Sequence, residues 1–267
     1  MKAKVIGVIS IKGGVGKTTT VVNLGTVLAT EFDKKVLIVD SNFSAPNLGL
    51  HLGIVDPKHT LHDVMNGKAK VKDAIMHHDA IDILPGALLG RKVNPLELKK
   101  KLKEVSNNYD VIVLDSSPTM NEEIIATMVA SDQLLVVTTP DYPTLSCTMH
   151  AAKVAKKRKI PITGLILNKV RKKKFELSLQ DIEDATDVPI LAVLPDDVKI
   201  LESLAVTKAA ANHTPLSEAV IEYKKLASSL IGKSYKDPRW MQKLKGLFVG
   251  DVPKQEINRE LLRQKRG

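Results

Sequence analysis

Short runs of Val, Ile and Leu recur along the chain at 5–9, 36–39, 81–84, 111–114, 134–137, 162–167 and 190–193. Polar residues hardly interrupt them, the pattern of strands buried on both faces in a parallel sheet rather than of half-solvated antiparallel ones. Between them, residues 18–29, 95–105, 122–130, 145–157 and 216–231 place their apolar side chains at helical spacing. Strands alternating with helices predict right-handed βαβ crossovers, hence an α/β domain with a mostly parallel sheet and helices on both faces. The alternation runs to residue 232, so residues 1–232 are read as one domain and 233–267 as a tail.

The tail differs in charge as well as in pattern. Ten Lys or Arg face four acids between 233 and 267, a net +6 of the chain's +10. Pro238 and Pro253 divide it into two short helix candidates, 239–249 and 254–266. In the first, Trp240, Met241, Leu244, Leu247 and Phe248 fall on one helical stripe flanked by Arg239, Lys243 and Lys245, as in a helix lying in a membrane interface. For the second, a further surface helix and a partner-binding tail both remain open.

Composition narrows the field. With 43% hydrophobic and 26% charged residues the 267-residue chain has ordinary globular usage. Its single cysteine, Cys147, cannot form an internal disulfide, and neither a bilayer-spanning apolar run nor a signal-peptide pattern is present, so a cytoplasmic protein is expected. The positive charge points to anionic partners: nucleotide, nucleic acid or acidic lipid. The seven histidines show no helix-borne pair at metal-ligand spacing, so no zinc site is expected.

The chemistry concentrates after the first strand, in Lys12-Gly13-Gly14-Val15-Gly16-Lys17-Thr18-Thr19-Thr20 followed by a helical pattern. Small residues let backbone N–H groups close on phosphate oxygens while the helix offers the positive end of its dipole. Lys17 is then expected at the β- and γ-phosphates, the Thr18 hydroxyl at Mg²⁺ and Thr19 at the α-phosphate. Ile11 stands where the common phosphate-loop pattern has its first Gly, and the match is to a variant, K-G-G-x-G-K-T-T.

That variant resembles the deviant Walker A loop of the MinD/ParA family, ATPases that position cell structures, plasmids and chromosomes, and the resemblance extends from about residue 4 to 231. It implies a P-loop NTPase fold, ATP and Mg²⁺ as ligands, and a homodimer in which ATP is sandwiched and Lys12 reaches the opposite subunit's phosphates. Asp40, at the end of the second strand, matches the first Asp of the family's D-x-D switch segment near Mg²⁺. Position 42 carries Asn where the second Asp, which orients the attacking water, is usual; an amide cannot take up a proton or supply the negative charge. Either hydrolysis is slow or another group positions the water. The run 109–115 ends in Asp115 as a Walker B strand does, and Ser116-Ser117-Pro118 resembles the segment that follows it in the family. Asn168, and Pro195 with Asp196, resemble the adenine-binding segments. The 239–249 stripe is comparable to the C-terminal membrane helix of MinD proteins, which implies a peripheral position on the inner face of the cell membrane and a regulatory or cargo partner. The alternative is a ParA-like chain that binds DNA nonspecifically through Lys156-Lys157-Arg158-Lys159 and Arg171-Lys172-Lys173-Lys174.

Overall fold

The computed structural model describes residues 2–90, 92–238 and 253–266. Eight strands form one sheet: β1 (Lys4–Ile9), β2 (Val36–Ser41), β3 (Met76–His78), β4 (Ile81–Leu84), β5 (Val111–Ser116), β6 (Gln133–Thr138), β7 (Ile162–Val170) and β8 (Ile190–Pro195). Their order is β3-β4-β2-β5-β1-β6-β7-β8, parallel throughout except for β3, which pairs antiparallel with β4 at the edge. The fold expected from the hydrophobic runs is therefore the fold observed, with β3 added. Its three residues are too few and too polar to stand out in the sequence; they hold His77 and His78.

The helices are α1 (Lys17–Thr30), α2 (Leu48–His51), α3 (Leu61–Met65), α4 (Val71–Ala74), α5 (Leu98–Lys103), α6 (Glu122–Ala130), α7 (Tyr142–Lys157), α8 (Leu179–Thr186), α9 (Val198–Ala205), α10 (Ala210–His213), α11 (Glu218–Leu230) and α12 (Lys254–Gln264). The expected 95–105 helix is a 3₁₀ turn at Pro95–Glu97 followed by α5. The expected 145–157 helix begins at Tyr142 because the Asp141 side chain caps it, accepting from the Thr144 N–H, with proline in the first turn.

Alternate residues of the central strands enter different cores. Ile6, Val8, Val36, Ile38, Val111 and Val113 pack under α1 and α11, whereas Leu37, Val39, Ile112 and Leu114 pack with α3 and α5 on the other face. A third cluster joins Ile9, Val136 and Leu165 to α6, α7 and α8. Two covered faces explain why these strands are nearly devoid of polar residues.

α12 lies in the segment read as tail, and it packs on β8 and α11. Arg259 is only 2% exposed, ion-paired to Glu222 at 2.8 Å and donating to the Leu191 carbonyl at 3.2 Å. Asn258 donates to the Ile190 carbonyl at 2.9 Å, so two side chains satisfy acceptors on the sheet's open edge. Lys225–Glu256 (3.2 Å) and Lys254–Glu183 (2.6 Å) complete the attachment. The 239–249 stripe lies outside the described residues.

Candidate functional site at the carboxyl ends of the strands

The carboxyl ends of parallel strands are where open α/β sheets bind ligands, and five of them converge here. β1 feeds the loop 10–16; β2 ends near Asp40, β5 near Asp115, β7 near Asn168 and β8 at Pro195. A cleft of about 300 Å³ opens among them, lined by Gly13, Lys17, Thr18, Asn42, Asn168 and Pro195 among others.

The loop can take its shape only with glycine. Gly14 has φ +77° and Gly16 φ +95°, and a Cβ on Gly16 would stand 2.3 Å from the Asn168 amide nitrogen. Gly16 caps α1 without offering a side-chain acceptor, so the first N–H groups of the helix are left for a ligand. The Val15 side chain points away into the core.

Asp40 and Asp115 are partners in the β2–β5 register, side by side and each 1% exposed. Asp40 accepts from the N–H groups of Leu48 (2.9 Å) and Asn42 (3.2 Å). The Thr18 hydroxyl is 2.6 Å from Asp115 Oδ2 and 3.0 Å from Asn47 Oδ1. Burial, then the neighbouring Asp115, pushes the Asp40 carboxyl well above the ordinary carboxylate range; burial likewise pushes Asp115 up to about 6, against the Thr18 hydrogen bond and the Lys17 charge. Lys17 is itself buried, which lowers its pKa, with Asp115 opposing. Two buried acceptors here have no protein partner, Asp115 Oδ1 and Asn42 Oδ1. A pair of buried carboxylates, a hydroxyl beside them and an orphaned oxygen suit a hydrated Mg²⁺, which would supply charge neutralisation between carboxylates and phosphates.

Lys12 does something different. Its ammonium leaves the cleft and lies 2.7 Å from the Thr144 hydroxyl and 3.2 Å from Asp141 Oδ1, at the start of α7. Burial raises the Asp141 pKa, but hydrogen bonds from Thr139, Thr144 and Lys12 outweigh it and hold the carboxyl down at about 2. A second cavity of about 320 Å³ lies there, open beside the loop.

The other residues singled out in sequence fall as follows. Asn168 is buried, its amide donating to the Val15 carbonyl at 2.7 Å. Asp196 is ion-paired with Arg171 at 2.7 Å on the cleft's rim. Trp240, Met241, Leu244, Leu247 and Phe248 lie outside the described residues. Sequence reasoning passed over Asn47, Asp141 and Lys169, all of which touch the loop or its lysines. Nothing local marked them: Asn47 meets Thr18 across 29 residues, and the partners of Asp141 and Lys169 are over 100 residues away. Among the described residues no three His, Cys, Asp or Glu gather as a metal cluster.

A glycine-rich loop between a central parallel strand and a helix, with a Walker B carboxylate on the neighbouring strand, defines a P-loop NTPase. A family model described as "AAA domain" matches residues 3–162. An uncharacterized ATP-binding protein of Methanocaldococcus jannaschii is 32% identical over 93% of this chain and 98% of its own length. The septum site-determining protein MinD of Thermotoga maritima is 31% identical over 74% of this chain and 77% of its own. Among solved structures, MinD of Pyrococcus horikoshii complexed with Mg-ADP superposes with TM-score 0.80 at 34% identity, covering 85% of this chain and 96% of that one. The chain belongs to the MinD/ParA family of P-loop ATPases. It is an ATPase of that type, with ATP and Mg²⁺ as its ligands.

The buried carboxylates make one consequence measurable. Asp115 is pushed from 3.8 to about 6, a charge-burial cost of about 3 kcal/mol at neutral pH. The folded-state value lies above the unfolded one, so the cost is absent below about pH 4 and complete above about pH 6. Metal-free protein therefore loses stability as pH rises through that window. Asp115→Asn is expected to raise the Tm of the metal-free protein by several degrees at pH 7.5 and hardly at all at pH 4, while removing most of the stabilisation that Mg-ADP gives. An unchanged Tm at pH 7.5, or full stabilisation by Mg-ADP, contradicts the assignment.

Proposed function

We propose that the chain is a nucleotide switch: ATP joins two copies, and the joined copies bind an anionic membrane surface through residues 239–249 and recruit or position a partner. The observation that carries this reading is the direction of Lys12. A lysine beside a phosphate loop would ordinarily serve the phosphates of its own loop; this one points outward to Asp141 and Thr144, half-exposed at the mouth of the second cavity. From there it can reach a second copy's phosphates when exchanged from Asp141 to ATP. Within one subunit, Lys17 and the N–H groups of the loop hold the phosphates. Thr18, Asp40 and Asp115 would hold Mg²⁺, which would neutralise charge between carboxylates and phosphates, Asn42 would lie toward the attacking water, and Asn168, Pro195 and Asp196 would border the base.

Lys12→Ala is expected to leave ADP affinity within a few-fold of wild type and to abolish the ATP-dependent increase in molar mass. An unchanged dimer fraction by light scattering counts against the sandwich.

The membrane part rests on the stripe at 239–249 and on its flanks. Tyr235 packs on the core, with the Lys224 ammonium 5.9 Å from its ring, and α12 returns to the domain, where Gln255 and Pro195 border one cavity of about 300 Å³. The stripe's return point is thus next to the expected base-binding turn. Five apolar side chains at roughly 1.5–3 kcal/mol each and basic residues at about 1 kcal/mol each oppose an ordering cost of about 1–2 kcal/mol per residue, so one copy binds marginally. Two copies in a dimer gain about 10²–10⁴-fold in avidity. A MinD of Aquifex aeolicus was solved in a MinC:MinD cell division protein complex, which supports a protein partner here too.

The test compares vesicles containing phosphatidylglycerol with duplex DNA, each with ATP and with ADP. Expected is sedimentation with vesicles in ATP alone, lost in Trp240→Glu while nucleotide binding persists. ATP-dependent binding to DNA and not to vesicles would overturn the membrane reading in favour of the lysine runs at the end of α7 and after β7.

A further inference from the structure

We propose that Lys169 is a positioning residue of the phosphate loop, acting with Asn168 to turn the loop's N–H groups toward the phosphates; the proposal rests on the nucleotide site described above. In a regular strand successive side chains leave on opposite faces. Asn168 and Lys169 are successive residues of β7, yet both reach the loop: the Asn168 amide donates to the Val15 carbonyl at 2.7 Å and the Lys169 ammonium to the Gly14 carbonyl at 2.8 Å. A local break in the strand allows it. Lys169 has φ +57°, a left-handed conformation unfavourable for a residue with a Cβ, and the pairing with β8 shifts register between Leu167 and Val170. The Lys169 N–H donates to Asn168 Oδ1 at 2.9 Å, tying the two residues together.

The grip falls on consecutive peptide units. In a planar trans peptide the C=O and the N–H of the next residue point in opposite directions. Holding the carbonyls of Gly14 and Val15 from the β7 side therefore aims the N–H groups of Val15 and Gly16 away from β7. The side chain beside Gly16 is the same Asn168, so the closeness that excludes a Cβ at Gly16 belongs to the grip. Lys169 borders both the nucleotide cleft and the cavity that holds Lys12. Strained backbone maintained for one side-chain contact to a ligand loop is the pattern of preorganisation, because an unheld glycine loop would have to be ordered by the nucleotide itself.

The test uses the full chain with Lys169→Met, which keeps the chain length without the amine, Lys169→Gly, which relaxes the left-handed turn without it, and Lys169→Arg, which keeps a cationic donor. Affinities for ATP and ADP come from calorimetry with Mg²⁺, and turnover from steady-state hydrolysis. Losing one charge-assisted hydrogen bond to the loop is expected to weaken both nucleotides about tenfold in Met and Gly alike, raising KM with kcat changed less than about twofold. Lys169→Arg should recover most of the affinity. Wild-type affinity in Lys169→Gly, or a kcat that falls with KM unchanged, overturns the proposal. Wild-type protein that binds no ATP would sink the site itself, a result distinct from a variant that binds as wild type does.

Discussion

Lys17→Ala is expected to weaken ATP and ADP binding by at least about 100-fold, to the point where calorimetry at micromolar protein shows no heat. The side chain is 8% exposed, at the first residue of α1, where burial already lowers its pKa and Asp115 opposes that effect. Its ammonium is largely withdrawn from water, and phosphate oxygens would be the partner that offsets the desolvation. Two charge-assisted hydrogen bonds at about 1.5–3 kcal/mol each account for a loss of that size. Nothing about the fold requires the lysine, so the variant should fold with a circular dichroism spectrum like that of wild type. Micromolar or tighter ATP affinity in a folded Lys17→Ala would remove the cleft as the nucleotide site.

The second large effect concerns position 42. Asn42 is 5% exposed, with its amide nitrogen donating to the Ala45 carbonyl and its Oδ1 buried without a partner beside the cleft. An Asp here would add a third carboxylate near Asp40 and Asp115, and one of its oxygens would face the Ala45 carbonyl instead of donating to it. Two opposite consequences follow. Without metal, Asn42→Asp should be less stable than wild type, because like charges are crowded in a buried site. With Mg-ATP and anionic vesicles, its turnover should rise, within the 10²–10⁴-fold range of general acid–base help, or about 2.7–5.5 kcal/mol of barrier. Slow hydrolysis in wild type would prolong the ATP-bound state, so the variant should also leave vesicles sooner. Equal turnover in the two proteins would mean that another group orients the water and that Asn42 does not limit the chemistry.

The sheet was legible in the sequence because strands covered on both faces have to be apolar along their whole length, as in 36–39 and 111–114. The phosphate loop was legible because its chemistry permits few residues at fixed spacing. Other features depend on contacts between distant segments. β3 exists by pairing with β4, and α8 is eight residues long with only Ile182 and Thr186 buried, so neither offers a long apolar run to read. For 254–266 the sequence left a further surface helix and a partner-binding tail open, and the folded chain buries Arg259 there against Glu222 and an edge carbonyl. Lys169 carries no local signal of its role; only the folded chain brings its ammonium to the Gly14 carbonyl.

The switch requires that ATP, and not ADP, join two copies. Molar mass by multi-angle light scattering with Mg²⁺ tests it most directly. About 29.2 kDa is expected with ADP and twice that with ATP. The same mass in both nucleotides, with binding of each verified, would contradict it.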